Sequence, residues 1–369
     1  MIDELIKHRR NLHRIPELGF QEFKTSQYII DNIKDYVDKL EVKAKTGVVG
    51  YLNNNSNKTI LLRADMDGLP INEENEVEYK STHSGVMHAC GHDAHMAILL
   101  TLVKYFFQNR KDLKVNLRYM FQPAEEGLGG AKAMIEEGVL ENVDFALAIH
   151  VWNELECGKI ALNYGPTMAS SDSFEIEIIG KGTHAATPEL GADPILTATN
   201  FINQIYTTFP RIYKDYILTF TYINAGSATN IIPQSCKIMG TVRNFNEETR
   251  KNIAIHFEKI LKNVCNSNGT TYILKYTFGY PVLINDKKLY ELGIEVAENV
   301  VGKDNVNNFK SYGSEDMAFV LQRVPGLYAA IGSGPGQPHH SSKFNINENS
   351  LNIAFQFLKE MVFKIQNSH

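Results

Sequence analysis

The chain has 369 residues, 43% apolar and 21% charged, which is ordinary globular usage at a length beyond the size of one core, so two domains are expected. A net charge of −5 without a basic run excludes a nucleic-acid or anionic-membrane footprint, and no apolar run reaches membrane-spanning length. The opening MIDELIKHRRNLHRIP lacks the apolar stretch of a secretory signal, and Cys90, Cys157, Cys236 and Cys265 are too scattered for a disulfide framework, so the expected location is cytoplasmic.

In chain order, the pattern predicts helices over 2–12 and 24–36, then strands over 48–52 and 59–63, the second running into Ala64-Asp65-Met66-Asp67-Gly68. Next comes MHACGHDAH, in which His88, Cys90, His92, Asp93 and His95 lie within eight residues. The apolar AHMAILLTLVKYFF that follows reads as a buried helix, so the cluster belongs to the loop entering it, with Gly91 permitting a tight turn. A strand over 115–122, a helix over 131–137 and a strand over 145–150 complete an α/β pattern with a largely parallel sheet. Ligands gather at the carboxyl ends of such strands. Asp65, Asp67, Glu125, Glu126 and His150 are all expected there.

The middle of the chain differs. Strand 174–180, helix 193–208, strands 216–225 and 236–245, helix 247–267 and strand 270–278 give the β-α-β-β-α-β order of a ferredoxin-like unit. The α/β pattern then resumes with helices over 288–300 and 315–321, a strand over 326–331 and a helix over 348–365. An insert is therefore expected over 171–280, between 1–170 and 281–369. The loop GSGPGQPHHSSKF carries His339 and His340.

Thiolate and imidazole are ligands preferred by zinc and its borderline-soft neighbours. Five loops together offer carboxylates, imidazoles and one thiol, the donor set of a two-metal hydrolase. A bridging position suits a carboxylate or a thiolate. Glu125 and Glu126 follow Pro123, and neighbouring side chains on irregular backbone point differently, so one can bind metal while the other acts as base. Each residue also has a plainer explanation. The Glu pair suits the start of the next helix, His150 reads equally as a hydrogen-bonded core histidine, and His184, Asn230, Arg243, His339 and His340 read as surface or turn residues.

The segments RADMDGLP, MHACGHDAH, FQPAEEG, AIHVW, GKGTHAATPELGADPI, SATNIIP, GTVRNF, SEDMAF and HHSSKF occur in the order found in the dimetal amidohydrolases related to hippurate hydrolase and N-acetyldiaminopimelate deacetylase. The chain resembles that family over nearly its whole length. The cysteine of MHACGHD and the HSxKF ending mark its Cys-ligand branch. The resemblance implies a zinc-peptidase-like catalytic domain with a mostly parallel mixed sheet, plus an inserted ferredoxin-like α+β lid and dimerisation domain.

It further implies two divalent metal ions per subunit, zinc first, with manganese, nickel or cobalt as alternatives. Their ligands would be Cys90, His92, Glu126, His150 and His340, with Cys90 placed to bridge. Glu125 would be the base and His184 the oxyanion stabiliser, reaching into a partner subunit of a homodimer or larger homo-oligomer. Asn230 and Arg243 would hold the substrate carboxylate, and Asp67 would orient a ligand; no role is assigned to Asp65. Thr183, Gly68 and Ser342 stand where the family usually has glycine, alanine and proline, and none of these removes a functional side chain.

The expected activity is hydrolysis of the amide of an N-acyl amino acid. Two rivals remain at this point: a dipeptidase or carboxypeptidase using the same site, and a catalytically inactive small-molecule-binding protein on this fold.

Overall fold

A computed structural model describes residues 1–368. The chain runs through α1 (Ile2–His13), α2 (Phe23–Ile33), β1 (Lys39–Lys43), β2 (Gly47–Leu52), β3 (Thr59–Asp65), α3 (His92–Gln108) and β4 (Asn116–Gln122). It continues through α4 (Gly130–Glu136), β5 (Phe145–Glu156), β6 (Ile160–Leu162), β7 (Gly165–Met168), β8 (Asp172–Ile179), β9 (Thr183–His184) and α5 (Pro194–Ile212). Then come β10 (Tyr216–Ala225), β11 (Ile231–Ile232), β12 (Ser235–Asn244), α6 (Glu247–Ser267), β13 (Thr271–Phe278) and β14 (Leu283–Asn285). Last are α7 (Lys287–Val301), β15 (Val306–Asn308), α8 (Met317–Leu321), β16 (Gly326–Gly334) and α9 (Asn349–Gln366). Two compact units result: 1–167 with 283–310 and 316–369, and 168–282 with 311–315.

In the first unit an eight-stranded sheet has the order β1-β2-β4-β3-β5-β16-β6-β15. Its central strands β4, β3, β5 and β16 are mutually parallel, and the β2 and β6 pairings make it mixed. All seven residues of β3 are buried, as a strand covered on both faces requires. The register sets Asp65 opposite Gln122 and Arg63 opposite Ala148. The ends of β3 and β4 thus lie side by side, with β5 adjoining. α3 is buried from His92 to Val103 and packs with α1 and α9 over the sheet. Among the described residues, no helix is long and apolar enough to cross a membrane.

One expectation fails here. His150 does not close a strand. β5 runs on to Glu156, because β16 keeps pairing beside it through Gly332 and Gly334. The close approach needs glycine: a Cβ on Gly332 would lie 1.9 Å from the Glu156 carbonyl. The polar tail WNELE carries no apolar run to mark the extension. The edge strand β1 and the short β6, β14 and β15 were likewise unmarked, each too brief or too polar to show a period.

A buried ionic cluster ties the N-terminal helix to the His/Cys loop. Arg9 Nε donates to Asp93 Oδ2 at 2.8 Å, and His13 bridges Asp93 Oδ2 (2.8 Å) and Glu73 Oε1 (3.1 Å). Burial alone would raise the Asp93 carboxyl, but Arg9 and His13 overcome it and hold it far below the usual carboxylate range. Burial likewise opposes charge on His13, but Asp93 and Glu73 prevail and raise it. The depressed acid contributes stability above its unfolded pKa and loses it as pH falls through the folded value. The raised histidine contributes below its unfolded pKa and loses it as pH rises. The cluster should therefore stabilise most between about pH 4 and 6.5. Urea unfolding of metal-stripped wild type and His13→Gln from about pH 5 to 9 should show the gap between them closing as pH rises above about 6.5; a gap independent of pH rules the account out.

The second unit holds a four-stranded antiparallel sheet, order β10-β12-β8-β13. Its elements follow in the predicted β-α-β-β-α-β sequence. Phe174, Phe201 and Phe257 meet edge-on or tilted, with ring centroids 4.6 to 5.0 Å apart, and each such buried ring contributes about 1.5–3 kcal/mol. Asp193 and Asn246 cap α5 and α6 by accepting backbone N–H groups. Pro210 lies in the last turn of α5, and the helix outlasts its predicted end by four residues.

Candidate metal centre

The loop MHACGHDAH enters α3 as its sequence suggests. Gly91 adopts a left-handed φ of +83°, and a Cβ there would lie 2.3 Å from Val151 Cγ2. This turn sets Cys90 beside His92, the first residue of the helix. β5 supplies His150, whose Nε2 lies 3.5 Å from Cys90 Sγ. The bend after β4 supplies Glu126, whose ligand oxygen lies within 4.8 Å of the Cys90 and His92 donor atoms. The loop after β16 supplies His340, tethered by its N–H to the Ala89 carbonyl (2.8 Å) and facing Glu126 Oε1 at 3.2 Å.

Backbone carbonyls fix both buried rings. His92 Nδ1 donates to the Asp67 carbonyl at 2.9 Å, and His150 Nδ1 donates to the Val151 carbonyl at 2.7 Å. Each ring therefore keeps a proton on Nδ1 and turns Nε2 inward, the nitrogen a cation would take. His92 Nε2 is buried without a hydrogen-bond partner. Asp67 Oδ2 accepts the Glu126 N–H at 2.9 Å, so Asp67 holds both a histidine and the glutamate loop.

The electrostatics call for positive charge. Burial, then Glu126, Glu125 and Asp65, push the Cys90 thiol well up. Burial opposes charge on His92, yet Asp65, Asp67 and Glu126 outweigh it and drive the ring up to about 10. His150, buried and next to His95 and His339, is pushed well down. A soft thiol, inward-facing imidazole nitrogens and carboxylate charge that favours a cation over a proton on His92 fit divalent cations. Donor atoms of Cys90, His92 and Glu126 lie within 4.8 Å of one another, as do those of Cys90, His150 and His339, and His340 adjoins the first group through Glu126.

Glu125 is 7% exposed at the same strand end, beyond Ala124, whose φ is +55° and whose N–H is held by Glu22 Oε1 at 2.9 Å. Three neighbours were given no role by the sequence. His95 Nδ1 donates to Asp65 Oδ1 at 2.6 Å while its Nε2 accepts the Val151 N–H at 2.9 Å. His339 donates from Nε2 to the Val151 carbonyl at 3.0 Å and stacks near Trp152, centroids 4.8 Å apart. Asp65 also binds Arg63 Nη1 at 2.8 Å. His92 and His95 lie three apart on one helix face, which was the available signal for His95.

In the second unit, β9 and β11 pair His184 with Ile231, and the Ala185 N–H reaches the Asn230 carbonyl. His184 and Asn230 are thus brought together and exposed. His184 Nδ1 accepts the Ala186 N–H at 3.0 Å, leaving the proton of a neutral ring on Nε2. Arg243, on β12, is partly buried and spends one Nη1 donor on the Tyr312 carbonyl.

Residues 61–364 match the sequence model described as peptidase family M20/M25/M40. A thermostable carboxypeptidase 2 of Saccharolobus solfataricus is 35% identical over 95% of this chain and 93% of that protein. An N-acyl-L-amino acid amidohydrolase of Geobacillus stearothermophilus is 40% identical over 76% and 78%. Among solved structures, the Bacillus subtilis YXEP protein, described as a dinuclear metal-binding peptidase of the M20 family, superposes with a TM-score of 0.89. It is 31% identical and covers 100% of this chain and 99% of its own.

Proposed function

We propose, from the premise that this chain belongs to peptidase family M20/M25/M40 and is a metal-dependent hydrolase, that it cleaves the amide of N-acyl amino acids to a carboxylate and a free amino acid. The observation that carries this reading is the meeting of Cys90, His92, Glu126, His150 and His340 beside Glu125, in a chain similar to an N-acyl-L-amino acid amidohydrolase. Two divalent ions held by those five residues, zinc by its affinity for thiolate and imidazole, would polarise the amide carbonyl and acidify the attacking water.

The chain's own groups do the rest. The Glu125 carboxylate takes a proton from the attacking water as the C–O bond forms, then delivers it to the nitrogen as the C–N bond breaks. His184 donates from Nε2 to the oxyanion of the tetrahedral intermediate. Arg243 and Asn230 bind the substrate carboxylate. Asp67 holds His92 and the Glu126 backbone in register.

The active form in this proposal is a cytoplasmic homodimer built on the second unit, with His184 acting on the partner's substrate. Ile195, Leu196 and Tyr206 on α5 and Tyr222 and Ile223 on the edge strand β10 are large apolar side chains left exposed, which supports pairing with a second copy.

The test is hydrolysis of N-acetyl, N-benzoyl and N-acetyl-diaminopimelate substrates beside simple dipeptides, after metal stripping and reloading with zinc, manganese, cobalt or nickel. Metal-restored activity confined to N-acyl substrates is expected. Activity on dipeptides alone would shift the assignment to a peptidase, the activity named in the carboxypeptidase relative. Metal uptake with no turnover on any substrate would leave a binding protein.

A further inference from the structure

Val151 is pinned on both sides by three histidines. Its N–H donates to His95 Nε2 at 2.9 Å. Its carbonyl accepts from His150 Nδ1 at 2.7 Å and from His339 Nε2 at 3.0 Å. His95 itself is held from behind, donating from Nδ1 to Asp65 Oδ1 at 2.6 Å, while Asp65 Oδ2 takes Arg63 Nη1 at 2.8 Å. The His95 and His150 rings touch, centroids 4.5 Å apart. Arg63, Asp65 and His95 are almost wholly buried.

Asp65 and His95 lie close enough to His92 and His150 to pass for metal ligands, but their bonding argues otherwise. Both ring nitrogens of His95 are engaged, and Nε2 spends its lone pair on a backbone amide. Each Asp65 oxygen already has a donor. His95 thus has no ring lone pair left for an ion, whereas His150 Nε2 faces Cys90 Sγ at 3.5 Å.

We propose that Asp65 and His95 are a positioning pair for His150: Asp65 fixes the His95 tautomer, His95 fixes the Val151 amide, and the Val151 carbonyl fixes the ring that presents Nε2 to one of the two ions. The proposal rests on the two-ion reading above and adds that this one line of hydrogen bonds sets the affinity of the ion at His150. Because β5 runs through this point without a break, the strand has no freedom to reset the ring if Val151 shifts.

The experiment measures metal affinity in isolation from catalysis, by chelator competition and by the cobalt–thiolate absorption of the cobalt-loaded protein. His95→Phe keeps a ring against His150 but loses both hydrogen bonds, and should weaken one of the two ions about 10–100-fold while leaving the other unchanged. His95→Gln, whose Oε1 can still accept the Val151 N–H, should recover the greater part of that loss. Three results overturn the pair: wild-type affinity in His95→Phe; equal weakening of both ions in step with a lower melting temperature of the metal-free variant, which marks a merely structural role; and outright loss of one ion in both variants, which makes His95 a ligand. A wild-type protein that takes up no ion refutes the two-ion reading first and this pair with it.

Discussion

Glu125→Gln is expected to retain both metal ions and lose amide hydrolysis by about 10²–10⁴-fold, the span attached to a positioned general base. Gln fills the same volume at a position only 7% exposed, so the bend after β4 should hold and Glu126 should keep its Asp67 contact. What disappears is an oxygen able to take a proton from water and return it to nitrogen. KM should change far less than kcat, because the lost interaction belongs to the transition state. Inductively coupled plasma analysis beside steady-state kinetics checks both halves, and unchanged turnover with two ions bound removes Glu125 as the base.

The same variant tests whether His184 acts across a dimer. His184→Ala should also be slow, since losing one oxyanion donor costs about 10²–10³-fold in turnover. Mixing Glu125→Gln chains with His184→Ala chains forms some dimers in which one chain contributes an intact Glu125 and its partner an intact His184. If the histidine serves the partner's substrate, those dimers recover one working site of two and activity rises on mixing. If it serves its own chain, every site stays defective and no recovery follows.

The sequence singled out residues by type and position. Cys90 and His92 stood out because thiolate and imidazole are ligand types preferred by zinc, and Asp67, Glu125 and Glu126 because α/β sheets collect ligands where parallel strands end. The register of β3, β4 and β5 does bring these positions to one edge. The sequence was silent where a role depends on a partner remote along the chain. His95 meets Asp65 across 30 residues and Val151 across 56, and its i,i+3 spacing from His92 marks a shared helix face without naming either partner. His339 read as a surface residue because its loop is rich in Gly and Pro, although its ring packs against Trp152, His150 and Phe344. The β-α-β-β-α-β insert was legible because its strands alternate cleanly, as in the buried-exposed pattern of β8. The extension of β5 past His150 was not, because glycines on the neighbouring β16 permit it.

Cys90→Ala should remove metal outright, with a larger loss of affinity than the about 10–100-fold that follows from losing a supporting hydrogen bond. The thiol sits among Glu125, Glu126 and Asp65, and burial with those charges keeps it protonated when no cation is near. Taking up a metal must therefore expel the Cys90 proton, since only the thiolate ligates. Loading the wild-type protein should release that proton into an unbuffered solution, and the Cys90→Ala protein should release one fewer per chain at any residual uptake. Cys90→Asp separates bridging from simple ligation: a carboxylate can also share its oxygens between two ions, so this variant should regain the second ion where alanine does not. Two tightly bound ions in Cys90→Ala, with unaltered proton release, would show that the centre assembles on His92, Glu126, His150 and His340 without the sulfur, and the bridging role would then fall.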